Sequence, residues 1–113
     1  MIKTTKTIYD PPEKSDGKRI LVMRMWPRGI KKEKIDLWIK ELGTDKELIH
    51  KWKTGKISWT ELSKEYKKSL KGKEELLQQL ASEAKNKTVT LLCSCKEEKH
   101  CHRHILKQIL ESF

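Results

Sequence analysis

The sequence predicts a small α/β domain, a mostly parallel sheet with one edge strand, covered by about five helices. Two short apolar runs bounded by turn residues predict buried strands, and amphipathic segments lie between and after them. A strand, several helices and a second strand are the order expected when helices connect parallel strands. With 113 residues, the chain has the length of a single domain, 1–113.

The strands and helices are predicted in the order β-β-α-α-α-α-β-α. Residues 3–9 alternate Thr with Lys or Ile and predict a strand at the sheet edge, and residues 18–23 (KRILVM) predict a buried strand. Ile35, Trp38, Ile39 and Leu42 recur at the helical period and predict a helix over 33–42 that ends at Gly43.

Capping signals predict where the next helices begin. Thr44 with Glu47, and Ser58 with Glu61, have the spacing at which a hydroxyl and a carboxylate satisfy the first amides of a helix. A further helix is predicted over 73–85, a second buried strand over 88–93 (TVTLLC), and a last helix over 105–113.

Charge and composition restrict the partners and the cellular compartment. The net charge of +10 favours anionic partners, either a phosphate-bearing or carboxylate-bearing small molecule or a nucleic acid. No apolar run approaches the roughly 18 residues that cross a bilayer, and no segment is typical of a signal peptide, so we expect a cytoplasmic protein without a membrane partner. Three cysteines within residues 93–101 favour reduced thiols or a metal over disulfides.

The first candidate loop follows the strand at 18–23. Arg24 and Arg28 carry planar guanidinium groups that match phosphate or carboxylate, and Gly29 permits positive φ or close approach of a ligand to the backbone. Trp26 is interpreted either as a side chain packed on the core or as a platform that stacks a base. These residues predict an anion-binding loop.

The second candidate loop follows the strand at 88–93 and ends at a helix start near Cys101, His102 and Arg103. Ligands of α/β proteins gather beyond the carboxyl ends of parallel strands. If the two buried strands are parallel neighbours, Arg24, Arg28 and Arg103 converge on one anion pocket.

The cysteines and histidines of the second loop leave two further hypotheses open. Cys101, beside Arg103 and His102 at a helix start, is the candidate nucleophile of a thiol-dependent enzyme, because positive potential stabilises a thiolate. Cys93, Cys95 and Cys101 with His102 or His104 supply a rival zinc site, although paired C-x2-C spacing is absent. No Gly-rich phosphate loop, Ser-His-Asp set or pair of acids predicts a reaction, so the sequence does not decide whether the protein is an enzyme.

Several motifs together resemble those of the domain of unknown function 488 family, the YeaO-like uncharacterised proteins. They are Tyr9-Asp10-Pro11-Pro12, Arg19-Ile20-Leu21-Val22, R-x-W-P-R-G at 24–29, Trp38, Trp52, Tyr66, T-L-L-C at 90–93 and C-H-R at 101–103. Members of that family usually carry an acid where this chain has Met23, and commonly a glutamate where it has Cys95. The resemblance implies a compact cytosolic α/β domain and brings no established activity.

Overall fold

A parallel sheet lies at the centre of the fold in the computed structural model, which describes residues 1–4, 7–94 and 101–113. Its four strands in these ranges are β1 (Ile2–Lys3), β2 (Lys18–Leu21), β3 (Leu37–Trp38) and β4 (Val89–Leu92). They lie in the order β1-β4-β2-β3, and every neighbouring pair is parallel. The central pair runs in register from Lys18 beside Val89 to Leu21 beside Leu92. The predicted α/β class is therefore confirmed.

The described residues form four α-helices, one fewer than predicted. They are α1 (Lys46–Lys53), α2 (Trp59–Ser69), α3 (Glu74–Asn86) and α4 (His102–Glu111). None of them is both long and apolar enough to cross a membrane.

The predicted helix over 33–42 is wrong, because this segment pairs with the sheet. Two 3-10 turns, at Lys32–Lys34 and Lys40–Leu42, flank β3. The amide of Asp36 donates to the carbonyl of Arg19 at 2.9 Å, and the amide of Ile39 donates to the carbonyl of Leu21 at 2.9 Å. The edge of β2 thus satisfies backbone groups that a helix would have paired internally.

Two other boundaries differ from prediction. The edge strand is shorter than 3–9: β1 ends at Lys3, although the amide of Ile8 still donates to the carbonyl of Cys93 at 3.0 Å. Helix α1 is capped by the Asp45 side chain, which accepts from the Glu47 amide, and Thr44 lies one residue before the cap. The Ser58 and Glu61 capping box at the start of α2 is confirmed in both directions.

The sheet has a hydrophobic cluster on each face. Alternation along β2 sends Ile20 and Val22 into a large cluster with residues of α2, α3 and α4, and Leu21 into a small one with Ile8 and Leu92. The small cluster is covered by side chains of the 23–35 segment, including Trp26. The helices therefore cover one face, and the segment after β2 covers the other.

Candidate functional site

The strands β2 and β4 lie side by side and run in the same direction. The segments that follow them, beginning at Val22 and Cys93, therefore leave the sheet at the same edge. This is the strand arrangement on which the predicted pocket depends, and it is confirmed.

A cavity of about 430 Å³ opens at this edge of the sheet. Its lining comes from the segments after β2 and β4 and from the helices α1, α2 and α4. The described lining residues are Met23, Arg24, Met25, Thr44, Lys46, Ile49, His50, Trp52, Lys53, Trp59, Leu62, Cys93, Ser94, Cys101 and His102. None of these carries a carboxylate, so the charged groups among them are all basic.

Helix α1 supplies one wall of the pocket. Lys46, Ile49, His50 and Lys53 line it, and their spacing of three, four and seven residues places them on one helical face. Neither lysine is in a salt bridge with any residue that the structure describes. This wall therefore carries two positive charges, and no described acidic residue forms a salt bridge with either of them.

Arg24 is held in place by a close contact between two loops. Its Nε donates to the carbonyl of Gly43 at 3.0 Å. A Cβ added at Gly43 would lie 2.5 Å from the backbone nitrogen of Arg24, so only glycine permits this approach. The terminal nitrogens of Arg24 make no hydrogen bond or ion pair within the described ranges. The guanidinium is thus oriented through Nε, while its other donors remain available to a ligand.

Buried thiols and an imidazole form the inner end of the pocket. Cys101 is the N-cap of α4, and His102 is the first residue of that helix. The Sγ of Cys101 lies 3.9 Å from Nδ1 of His102, and it accepts a hydrogen bond from Nε of Arg103 at 3.3 Å. Cys93, Cys101 and His102 are at most 5% exposed, and Arg103 is 1% exposed. Arg103 thus contacts the site through Cys101 and is not among the described lining residues.

Tyr66 packs behind this inner end. Its hydroxyl donates to the carbonyl of Leu42 at 2.7 Å, and its ring lies 5.5 Å from that of His102. Burial raises the pKa of Tyr66 far above its usual value, the thiols of Cys101 and Cys93 raise it further, and Arg24 opposes the rise. Tyr66 is therefore a neutral hydrogen-bond donor at physiological pH.

Three residues predicted to bind an anion are not among the described lining residues of the pocket. Trp26 packs edge-on against Trp38 with centroids 5.4 Å apart, and its Nε1 donates to the carbonyl of Ile30 at 2.9 Å. Arg28 and Gly29 are exposed, and neither is a described lining residue of the pocket. Gly29 does have positive φ, 80°. Of the three arginines predicted to converge, Arg24 alone is among the described lining residues.

Three of the possible metal ligands named from the sequence lie together in the structure. The candidate ligand atoms of Cys93, Cys101 and His102 lie within 4.8 Å of one another. His104 is not part of that group, and its Nε2 lies 3.4 Å from Nε2 of Gln108. Cys95, the remaining member of the predicted set, lies outside the described residues.

Sequence reasoning missed the α1 wall and Thr44. The i, i+4, i+7 spacing of Lys46, His50 and Lys53 indicates that they share one face of a helix. Only the tertiary packing shows that this face lies at the edge of the sheet. Thr44 is 6% exposed, and its Oγ1 has no hydrogen-bond partner among the described residues. It lines the pocket and can offer this hydroxyl to a ligand.

Comparison with known proteins places the chain in a family. The family model described as "DUF488-N3a: Active DUF488-N3 subclade" matches residues 3–113. The chain belongs to the DUF488 family. It is 38% identical over 109 residues to "Uncharacterized protein YeaO" of Escherichia coli (strain K12), covering 95% of each chain.

More distant relatives match over the same extent of the chain. "Uncharacterized protein Rv3073c" of Mycobacterium tuberculosis (strain H37Rv) is 26% identical over 116 residues, covering 97% of this chain and 98% of that protein. "Uncharacterized protein Mb3100c" of Mycobacterium bovis matches with the same identity and coverage. No solved structure matches the chain.

Proposed function

We propose that the protein binds a small phosphate-bearing or carboxylate-bearing molecule in the pocket at the carboxyl edge of its sheet. One observation carries the proposal: Arg24, Lys46 and Lys53 line the cavity, while no described lining residue carries a carboxylate. An anion there meets attraction without a competing internal acid. Arg24, Lys46 and Lys53 are exposed, so their attraction to an anion should weaken as salt is added.

Hydrogen-bond donors accompany the charges. Arg24 presents a fork that matches two oxygens of a phosphate or carboxylate, and the buried hydroxyl of Thr44 adds a neutral donor. The first turn of α4, at Cys101 and His102, supplies backbone N–H groups that lack intrahelical acceptors. Together these groups suit a single anionic group better than a long polyanion.

The apolar part of the lining favours an organic anion over a bare inorganic one. Trp52 and Trp59 lie 4.9 Å apart between ring centroids, and Leu62 and Met23 add aliphatic surface. Ligand sites commonly combine such walls with a few placed polar groups. Adenosine 5′-monophosphate and citrate are therefore suitable probes beside inorganic phosphate.

The test is a calorimetric titration of these three anions into the parent chain and matched variants. Arg24→Ala should weaken binding at least about tenfold, because a hydrogen bond to a charged group contributes about 1.5–3 kcal/mol. Arg28→Ala and Lys67→Ala remove one positive charge each outside the described pocket lining, and both should leave affinity within about twofold. Equal losses in all three variants, or no binding of any probe by the folded parent, would overturn the proposal.

The two alternatives from the sequence stay predictions. Thiol-dependent catalysis by Cys101 is supported by the Arg103 hydrogen bond to its sulfur and by the neighbouring imidazole of His102. The printed description of the matching subclade as active also supports a chemical role for this site. Nucleic-acid binding is supported by the net charge of +10, and its check is an affinity that falls steeply with salt.

A further inference from the structure

Three soft donor atoms converge at the inner end of the pocket. They are the sulfurs of Cys93 and Cys101 and a ring nitrogen of His102, all within 4.8 Å of one another. Cys93 follows β4 directly, while Cys101 and His102 begin α4. Two thiols and an imidazole are a set of donors that zinc and similar thiophilic ions prefer.

The hydrogen bonds of His102 favour one tautomer. Its Nε2 contacts the carbonyl of Val22, and a carbonyl can only accept, so Nε2 carries the proton. In the neutral ring Nδ1 then carries the lone pair, and Nδ1 is the atom 3.9 Å from the Cys101 sulfur. Metal-binding histidines are usually oriented in this way, by a hydrogen bond from the ring nitrogen that does not bind the metal.

Arg103 provides a second such contact. Its Nε donates to the Cys101 sulfur at 3.3 Å from a side chain that is 1% exposed. A hydrogen bond from a cation stabilises the thiolate form, which is the form that binds a metal. A divalent ion bound by two thiolates and a neutral imidazole would have a total charge of zero together with these ligands. The neighbouring Arg103 would add one positive charge.

We infer that Cys93, Cys101 and His102 bind a thiophilic divalent metal ion, of the zinc class, at the inner end of the pocket. The three residues also line the cavity. Donors at about 2.3 Å for sulfur and about 2.0 Å for nitrogen would require them to close slightly around the ion. The site goes beyond the proposed anion pocket, and each can fail without the other.

Cobalt(II) is the probe, because tetrahedral cobalt bound to thiolates has intense visible bands and a thiolate-to-metal charge-transfer band. The reduced, metal-free parent chain should bind one cobalt ion with these bands, and zinc should displace it. Cys93→Ser and Cys101→Ser should remove most of the charge-transfer intensity. His102→Gln keeps both thiols and should weaken binding at least about tenfold.

The controls use neighbours of the same residue types. His104→Gln should leave the spectrum and affinity unchanged, and Cys95→Ser should retain a thiolate spectrum from the other two cysteines. Far-UV circular dichroism establishes that each variant is folded. Cobalt binding that survives in Cys93→Ser, Cys101→Ser and His102→Gln but is lost in Cys95→Ser or His104→Gln would overturn the assignment.

A second measurement distinguishes a metal site from a nucleophilic thiol. The Cys101 sulfur cannot act as a free nucleophile while it is bound to a metal. If the folded, reduced parent gives no cobalt bands and its Cys101 reacts rapidly with iodoacetamide, the metal site is refuted. Binding of inorganic phosphate by that metal-free chain would leave the anion pocket intact. Conversely, cobalt binding by a chain that binds none of phosphate, adenosine 5′-monophosphate and citrate would refute the pocket and support the metal.

Discussion

Individual residues join the inner end of the pocket to the hydrophobic core. Tyr66 belongs to the large cluster through its ring, and its hydroxyl donates to the Leu42 carbonyl just before the Gly43 turn that holds Arg24. The same residue therefore packs the core and holds the end of the 3-10 turn at Lys40–Leu42, next to the Gly43 carbonyl that accepts the Arg24 hydrogen bond. Its raised pKa, caused first by burial, keeps the donor protonated.

Replacing Tyr66 by Phe should destabilise the protein by about 1–3 kcal/mol, because a buried carbonyl loses its donor. Urea unfolding measures the change. Tyr9→Phe is the matched control: Tyr9 is 54% exposed, and its removal should cost no more than about 0.5 kcal/mol. Similar costs for both variants would show that the Leu42 contact contributes little.

The position of a single site residue could be predicted from the sequence only where the neighbouring residues determine it. Cys101 and His102 lie at the start of α4, and Arg24 lies three residues beyond the end of β2, so their positions follow once the strands are paired. Trp26 and Arg28 lie farther along the loop, whose path is decided by packing of Trp26 on Trp38 and Ile30. No periodicity in the sequence encodes that path.

Among the elements, the helix α3 is tied to β2 by an ion pair. Glu83 accepts from Lys18 at 2.8 Å and pairs with Lys87 at 3.1 Å. The hydrogen bond from Lys18, followed by that from Lys87, lowers the pKa of Glu83 below its usual value of 4.5. A lowered carboxyl pKa stabilises the fold at pH values above 4.5, and this contribution is lost as the pH falls through the folded-state pKa.

Glu83→Gln should therefore lower the free energy of unfolding by about 0.5–1 kcal/mol at neutral pH, the range for partly exposed ion pairs. The difference between variant and parent should vanish in acid. Denaturant unfolding at a series of pH values measures it. Glu65→Gln breaks a more exposed pair, with Lys68 at 3.4 Å, and should change stability by less. A difference that persists unchanged into acid would exclude the ion pair as its source.

The elements also show why one prediction failed. The apolar spacing of residues 35–42 suits a helix, but Leu37 and Trp38 pair with β2 as an edge strand. Trp38 donates from Nε1 to the Met23 carbonyl at 2.7 Å, and so helps hold the first loop. Tertiary hydrogen bonding overrode a local pattern, whereas β2, β4 and the Ser58 cap agreed with their local patterns because burial and capping acted in the same direction.

The fold of the whole molecule places the candidate site at one edge of its sheet. Parallel pairing of β2 and β4 brings residues 24 and 101 together although they are far apart in the chain, and α1 closes the site with Lys46 and Lys53. The parallel pairing of the two buried strands could be proposed from the order of strands and helices in the sequence. The docking of α1 was not, because an amphipathic helix of eight residues does not specify which end of the sheet it covers.

The net charge of +10 acts on the whole surface, and a specific pocket must be distinguished from diffuse attraction. The most direct measurement is a titration of inorganic phosphate, adenosine 5′-monophosphate and citrate, each followed by amide chemical shifts of the ¹⁵N-labelled chain. We expect saturable shifts centred on Arg24, Thr44, Lys46, Cys101 and His102, and we expect Arg24→Ala to abolish them. Weak, non-saturating shifts spread over the lysines of α2 and α3, with none at the sheet edge, would contradict it.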